Sequence, residues 1–308
     1  EGERVIQHVL DGVLTGSILS LGATGLTMVM HMLRFANFSH AELLSIGAYS
    51  ALVFDQALKA LAPVLVAQIG PLSMTGALAL AMIIALGLTG ASAVLFDRLV
   101  FRRIRENGEE LSMVFASFGL ALIIRNGIGL VFGLDTKLYS QDIVFATVLS
   151  RDPLILVKPD QVATLALALA VMLVLHLVLS RTTFGFSLRA VAENPQLAQV
   201  NGISLQRMIL IVWLLGGGLA ALAGVFYGLS NQITPVIGRD LVLPIFAATI
   251  VGGIGSIYGA LLGGFIVGLA SNLALLALPS GYSPSMPFLI ILAVLLVRPN
   301  GLFGEARA

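Results

Sequence analysis

The chain has 308 residues, of which 58% are hydrophobic and 11% are charged, and its formal net charge is +1. This composition lies outside the range of soluble globular domains and indicates that the lipid bilayer is the solvent. A net charge near zero argues against a nucleic-acid partner, and the lack of cysteine excludes disulfides and thiolate chemistry. No signal peptide precedes the first apolar run, so we expect the spans themselves to direct insertion.

Apolar runs long enough to cross a membrane recur along the chain. A spanning helix needs about 20 such residues, and the runs predict about eight transmembrane helices. They lie at approximately 9–30, 36–56, 74–97, 111–133, 162–180, 206–229, 256–278 and 285–298, with a short extra membrane segment at 242–252. The predicted fold class is therefore all-α, a polytopic membrane helix bundle that forms a single domain over residues 1–308.

Arginine residues predict the orientation, since positively charged connections stay on the cytosolic side. They cluster after the third span, between the fifth and sixth, and after the last: Arg98, Arg102, Arg103, Arg105, Arg181, Arg189, Arg207, Arg298 and Arg307. All fall on one side if 242–278 enters the membrane and returns to its starting side. That side is predicted to be cytosolic. The near-neutral loop at about 134–161 and the N-terminus are predicted to lie outside.

Small residues repeat every four positions in the later spans. The repeats are Gly216 with Ala220 and Gly224, Gly259 with Gly263, and Gly264 with Gly268. In lipid, small side chains let helix backbones approach closely. The repeats predict a tightly packed bundle and carry no information about its cargo.

The connection at about 181–207 contains the clearest local signals. Asn194 is a good N-cap, Pro195 suits the first helical position and Gly202 suits a C-terminal stop. Together they predict a short helix at about 195–201, preceded by another at about 187–193. A structured insert of this length is either an amphipathic element lying on lipid or a docking element for a cytosolic partner. Its spacing favours the docking element.

Polar side chains cluster between the first two spans, at Asn37, Ser39, His40 and Glu42. Polar groups in a membrane are costly and often mark a pathway, although these residues could instead cap helices at the cytosolic edge, with Glu42 solvated. Arg125 and Asn126 also fall inside an apolar stretch. Arg125 needs a partner or a water-filled path, or it extends to an interface. We favour a structural role for it.

Glycines interrupt the long uncharged run 241–297. Gly252, Gly253 and Gly255, followed by Ser256, predict a broken helix whose freed backbone groups line a cavity. The alternative is a simple turn between short helices.

Four blocks of sequence carry a further signal. They are Gly185-x-x-Leu188-Arg189-Ala190-x-Ala192-x-Asn194-Pro195-x-x-Ala198-x-x-x-Gly202-Ile203, Asn37-Phe-Ser-His-Ala-Glu-Leu-Leu-Ser-Ile-Gly-Ala-Tyr49, Gly252-Gly-Ile-Gly-Ser-Ile-Tyr-Gly-Ala260 and Arg298-Pro-Asn-Gly-Leu-Phe-Gly304. These blocks resemble permeases of bacterial branched-chain amino acid ABC importers, and the first resembles the family's coupling-helix loop. Because they run in order from 37 to 304, the resemblance covers nearly the whole chain.

The resemblance implies a permease subunit of the bacterial cytoplasmic membrane. Its partners would be a second homologous permease, two ATP-binding subunits that hold ATP and Mg²⁺, and an external solute-binding protein, with no cofactor in this chain. Coupling to the ATPases is assigned to Gly185, Leu188, Arg189, Ala190, Ala192, Glu193, Asn194, Pro195, Ala198, Gly202 and Ile203. The translocation pathway is assigned to Asn37, Ser39, His40, Glu42, Gly252, Gly253, Gly255 and Ser256. Ala41 and Ser39 depart from the family's usual Gly and Ala, so the solute could differ from leucine, isoleucine and valine.

Energy-coupling and catalytic motifs are missing from the sequence. The lysines, at 59, 137 and 158, do not form a P-loop, and neither a His-Glu-x-x-His pair nor a Gly-x-Ser-x-Gly elbow occurs. An enzyme is therefore disfavoured. The competing hypothesis is a stand-alone secondary transporter or channel, which usually carries ionisable residues in its spans. After residue 126, His176 is the only ionisable residue in the interior of a predicted span, with Arg207 and Arg298 at span ends, which disfavours that alternative.

Overall fold

A computed structural model describes residues 2–70, 72–107, 110–140, 147–151 and 154–304. Within these ranges the chain is a helix bundle, as predicted. The helices are α1 (Gly2–Leu33), α2 (His40–Leu61), α3 (Gly76–Phe96), α4 (Arg102–Asn107), α5 (Glu110–Phe132), α6 (Pro159–Arg181), α7 (Thr183–Glu193), α8 (Pro195–Val200), α9 (Leu205–Ser230), α10 (Ile237–Gly252), α11 (Ile257–Ala274) and α12 (Met286–Val297). A π-helical turn, Asp97–Phe101, joins α3 to α4. An antiparallel hairpin of β1 (Thr147–Arg151) and β2 (Leu154–Val157) was not predicted.

Each predicted span coincides with a helix. Six helices in the described chain, α1, α3, α5, α6, α9 and α11, are long and apolar enough to cross a membrane. α2 is of similar length but carries Glu42, Asp55 and Lys59, and α12 is a shorter apolar helix. The short segment predicted at 242–252 is the second part of α10. The chain is thus a multi-pass membrane protein.

Helix packing sorts the connections to two ends of the bundle. α3 and α9 are antiparallel, because Gly218 packs against Leu86 whereas Gly90 packs against Leu214. The arginines that follow α3 therefore lie at the same end as the α6–α9 connection, which we call the basic end. α10 also reaches this end, where the Val251 carbonyl accepts a hydrogen bond from the C-terminal segment at Leu302. The opposite end holds the β1–β2 hairpin and is called the hairpin end.

The helices divide into a buried centre and a loosely attached periphery. In their most apolar stretches 83% of residues are buried in α1 and 78% in α9, against 28% in both α5 and α6. The centre relies on glycine: a Cβ on Gly268 would meet the backbone of Gly16, and one on Gly224 would meet the backbone of Leu44. The interpretation of the small-residue repeats as packing sites is confirmed for these contacts.

Candidate functional site

The segment between α1 and α2 turns back into the bundle. α1 ends at Leu33, and Arg34 takes a left-handed backbone conformation with φ of 57°. α2 begins at His40, whose imidazole lies next to Gly25 of α1. Since Gly25 is about two helical turns before the end of α1, α2 begins inside the bundle and not at its edge.

The polar residues of this segment are buried. Asn37, Ser39, His40 and Glu42 are 0%, 2%, 0% and 1% exposed, so Glu42 is not solvated. Asn37 Oδ1 accepts hydrogen bonds from the backbone N–H and the hydroxyl of Ser39, at 3.1 and 2.7 Å. In the described part of the chain, Asn37 Nδ2 has no hydrogen-bond partner. Leaving such a group unpaired costs about 1–3 kcal/mol, so the segment keeps unused hydrogen-bonding capacity.

Glu42 forms an ion pair with Arg125 of α5. Arg125 donates to one carboxylate oxygen from Nε, at 2.9 Å, and also from Nη2. The other oxygen accepts from the Ser45 hydroxyl at 3.4 Å, and that hydroxyl accepts from the backbone N–H of Gly238 at 3.0 Å. α2, α5 and α10 therefore meet at one polar cluster. Of the possibilities given for Arg125, the structure shows a partner, Glu42.

The glycine interruption is a turn at the basic end. It joins α10 to α11 through Gly253 and Gly255, which adopt φ of 103° and 96°, a region that strongly favours glycine. The Val251 and Gly252 carbonyls accept hydrogen bonds from the backbone of Leu302 and Phe303, at 2.8 and 3.1 Å. The break itself is confirmed, but these two carbonyls are paired with the C-terminal segment.

The two short helices predicted within residues 181–207 are present as α7 and α8, and we call this segment the α7–α8 loop. The Asn194 side chain accepts from the backbone N–H of Leu197 at 3.0 Å, and Pro195 opens α8. Gly202 has φ of 84°, and the backbone N–H of Ile203 returns to the Ala198 carbonyl at 3.0 Å. The capping signals at both ends of α8 are confirmed.

The predicted coupling residues take two different positions. Gly185, Leu188 and Ala198 are buried, and a Cβ on Gly185 would collide with the Leu179 carbonyl at the end of α6. Arg189 donates to that same carbonyl at 3.0 Å and lies over the Phe186 ring. These residues fasten the loop to the bundle. Five more are partly or fully exposed on its surface: Ala190, Ala192, Glu193, Asn194 and Pro195.

Two exposed apolar side chains of α8 were missed by the sequence analysis. Leu197 is 59% exposed and Val200 is 85% exposed, although both lie on a six-residue helix among Gln196, Gln199 and Asn201. Apolar residues three positions apart on a helix share a face. That spacing is the signal by which they could have been found.

A cavity of about 850 Å³ at the basic end lies between the α7–α8 loop and the glycine turn. Its walls include Arg34, Arg189, Glu193, Gly255 and Ser256. Arg34 also donates to the Ala192 carbonyl at 3.3 Å, which ties the end of α1 to α7. The predicted pathway residues are thus divided: the glycine turn lies beside the loop, and the polar segment 37–42 lies deeper in the bundle.

A second cavity, of about 790 Å³, lies at the hairpin end and was not predicted. Lys158, Asp160 and Tyr227 line it together with Tyr139, whose hydroxyl donates to the Ala48 carbonyl at 2.9 Å. Burial, and secondarily the nearby Asp55 charge, raises the pKa of Tyr139 well above its ordinary value. Tyr139 therefore remains a neutral hydrogen-bond donor.

Residues 141–146, 152 and 153 of the predicted outward loop, and Arg307, lie outside the described residues.

Comparison with known proteins places the chain in a family. The family model described as "Branched-chain amino acid transport system / permease component" matches residues 8–297. The high-affinity branched-chain amino acid transport system permease proteins LivH of Salmonella typhimurium and BraD of Pseudomonas aeruginosa are 29% and 30% identical to it, each over 97% of this chain and 96% of the relative. A probable LivH of Methanocaldococcus jannaschii is 29% identical over 98% of this chain and 93% of its own length. No solved structure matches. The chain belongs to the family of branched-chain amino acid transport permeases.

Proposed function

We propose that the chain is the membrane-spanning permease subunit of an ATP-driven importer for amino acids, branched-chain or chemically related, in a bacterial cytoplasmic membrane. The observation that carries the proposal is the α7–α8 loop at the basic end. It is fastened to α6 and α1 yet exposes Leu197 and Val200. A stand-alone transporter or channel has no use for such a docking element, and family membership also favours the importer.

The missing P-loop indicates what the partners supply. ATP and Mg²⁺ would be bound by two separate ATP-binding subunits that dock on the α7–α8 loop, and this chain would hold no cofactor and catalyse no reaction. A second homologous permease, identical or different, would complete the translocation pathway. An external solute-binding protein would deliver the solute at the hairpin end, where the cavity beside Tyr139 opens.

The coupling step follows from the contacts of the loop. Closure of the ATPases would move α7, and the packing of Gly185 and the hydrogen bond of Arg189 would transmit that motion to α6. Arg34 would transmit it to α1. The shared cavity would carry it to the turn at Gly252–Ser256, so the helices around segment 37–42 would rock and expose the pathway alternately to each side.

Solute selection would rest mainly with the external binding protein. The proposed pathway offers the solute glycine backbone groups and the side chains of Ser39, Asn37 and His40. Its charged residue, Glu42, is already paired with Arg125. A permease of this kind binds solute weakly, which suits a pathway that must release its cargo. Tight binding of an amino acid by the isolated permease would contradict this division of labour.

Reconstitution tests the proposed function. Proteoliposomes containing the permease pair, both ATPases and the binding protein should accumulate leucine, isoleucine or valine only when ATP is supplied. Removing the ATPases should abolish accumulation, and Glu193→Lys on the exposed loop should release the ATPases without unfolding the bundle. Uphill uptake by this chain alone would contradict the proposal and favour the stand-alone transporter.

A further inference from the structure

The Glu42–Arg125 pair lies deep in the bundle and joins two distant parts of the chain. Arg125 lies about 10 Å along the helix axis from the C-terminal end of α5. Glu42 is in the first turn of α2, and α2 begins inside the bundle. Ionisable groups at such a depth are costly in lipid and usually mark a substrate or ion pathway. The location alone gives the pair a role to be explained.

The two members of the pair are enclosed to different degrees. The Glu42 side chain is 1% exposed and the Arg125 side chain is 23% exposed. A guanidinium group has five N–H donors. Within the described chain, Arg125 donates from Nε and Nη2, and both hydrogen bonds end on the same Glu42 oxygen. The pair is therefore closed on its carboxylate side. On the guanidinium side it is open and has donors to spare.

α5 is less firmly embedded in the bundle than the central helices. It is peripheral, and it packs mainly against α2 and the segment that leads into α2. Besides Arg125, its contacts there include the Ser117 hydroxyl, which accepts from the Phe38 backbone N–H at 3.1 Å and lies 3.4 Å from the Ala36 carbonyl. Phe118 with Phe38 and Phe132 with Tyr49 make aromatic contacts, and α5 also buries apolar side chains in the core, at Leu120, Ile124 and Ile128. An apolar or aromatic side chain that leaves its neighbour can pack against lipid, whereas separating the ion pair leaves a buried charge unpaired. The pair is the contact that must be replaced if α5 moves.

We propose that the Glu42–Arg125 ion pair is a transient solute site that a zwitterionic amino acid enters by exchanging partners. The solute ammonium group takes the position of Arg125 on Glu42, and the solute carboxylate takes the position of Glu42 on Arg125. This inference rests on the proposed amino-acid cargo.

Charge balance explains why the exchange selects zwitterions. Pulling the pair apart without a substitute leaves a buried carboxylate uncompensated, which is strongly unfavourable. A zwitterion restores both contacts at once. A solute with only one charged group restores one contact and leaves the other broken. Because the solute gains contacts only as the internal pair is lost, its net binding stays weak, as transport requires.

A second ion pair on α2 provides a matched control. Asp55 is bonded to Lys59 one turn along the same helix, at 2.7 Å, and to the Thr75 hydroxyl at 3.4 Å. This pair lies toward the hairpin end, where Lys59 also donates to the Tyr139 carbonyl at 3.5 Å, and it makes no contact with α5. A purely stabilising role of intramembrane ion pairs would apply to both pairs, whereas partner exchange applies only to Glu42 and Arg125.

The first experiment measures ATP-driven leucine uptake by the complete importer in proteoliposomes. Glu42→Gln with Arg125→Met removes both charges and leaves no unpaired ion. We expect uptake to fall by about tenfold or more, since two charge-assisted contacts to the solute are lost, while ATP hydrolysis stimulated by the binding protein continues. Asp55→Asn with Lys59→Met removes both charges together and leaves no buried ion unpaired, so uptake should stay within about twofold of wild type. Wild-type uptake by the Glu42/Arg125 double variant overturns the exchange site.

The second experiment observes binding directly and works even if the double variant assembles poorly. Saturation-transfer NMR on the assembled wild-type transporter, without the binding protein, uses millimolar leucine, leucinamide and 4-methylpentanoate. Leucine should receive saturation, and the two analogues, which lack the carboxylate and the ammonium group respectively, should not. Equal transfer to all three overturns the inference. If the wild-type importer transports no amino acid at all, the proposed cargo is wrong and the exchange site with it.

Discussion

The α7–α8 loop and the polar segment 37–42 are both short, motif-bearing connections, but they are stabilised in opposite ways. In the loop, Asn194 caps α8 three residues away and exposed side chains face outward. In the polar segment every candidate side chain is buried, and Glu42 is satisfied by Arg125, 83 residues away. The difference shows that the end of α8 is fixed by residues next to it in the chain. The polar segment depends on the assembled bundle.

The largest effect is expected in the polar segment. Arg125→Met alone leaves Glu42 buried and unpaired, and it should lower the free energy of unfolding by about 3–5 kcal/mol. Thermal unfolding of the purified chain in detergent measures this. Arg102→Met breaks an exposed pair with Glu106 and should cost less than about 1 kcal/mol. Equal losses for the two variants would show that the burial of Glu42 has no energetic consequence.

The next effect concerns docking through the loop. Replacing Leu197 and Val200 together by Ser should weaken ATPase association by more than about tenfold, because each apolar side chain buried at an interface contributes about 2 kcal/mol. The stability of the bundle should not change. Co-purification of the ATPases measures the effect. Leu61→Ser with Val64→Ser is the matched control, because both side chains are also largely exposed but lie at the hairpin end. Loss of the ATPases in that control would contradict docking by α8.

A smaller effect tests how the loop is fastened to the bundle. Gly185→Val places a side chain against the Leu179 backbone and should destabilise the α6–α7 junction by about 1–3 kcal/mol. Faster proteolysis within residues 182–204 and lower uptake would report it. Gly119→Val, on a face of α5 with open space, is the control. Unchanged proteolysis of the Gly185 variant would mean that α7 is not held by this contact.

The smallest expected effect tests whether α8 is stabilised by its own N-cap. Asn194→Ala removes the α8 cap and should cost about 1 kcal/mol of local stability, seen as faster amide hydrogen exchange at residues 196–200. Asn194→Ser should restore most of the protection. Because the signal is local, exchange in α2 and α5 should stay at the wild-type rate; a change there would show that the loop is not an independent unit.

The sequence alone determined the features that depend on nearby residues. Apolar run lengths gave the helices, small-residue repeats gave the close packing of α9 and α11 with their neighbours, and cap residues gave α8. Each of these signals acts within a few residues or one helix face, so its physical cause can be read from a short window of sequence. The four motif blocks likewise indicated the family before any fold was known.

Only the tertiary structure decided where the polar groups lie and what they contact. It buried Glu42 and paired it with Arg125. It also placed the glycine turn beside the α7–α8 loop and away from segment 37–42. It also showed that Arg189 fastens α7 to α6. The reason is physical: the burial and pairing of a charge depend on helices that are distant in the chain, and spacing along the sequence does not specify which of their faces meet.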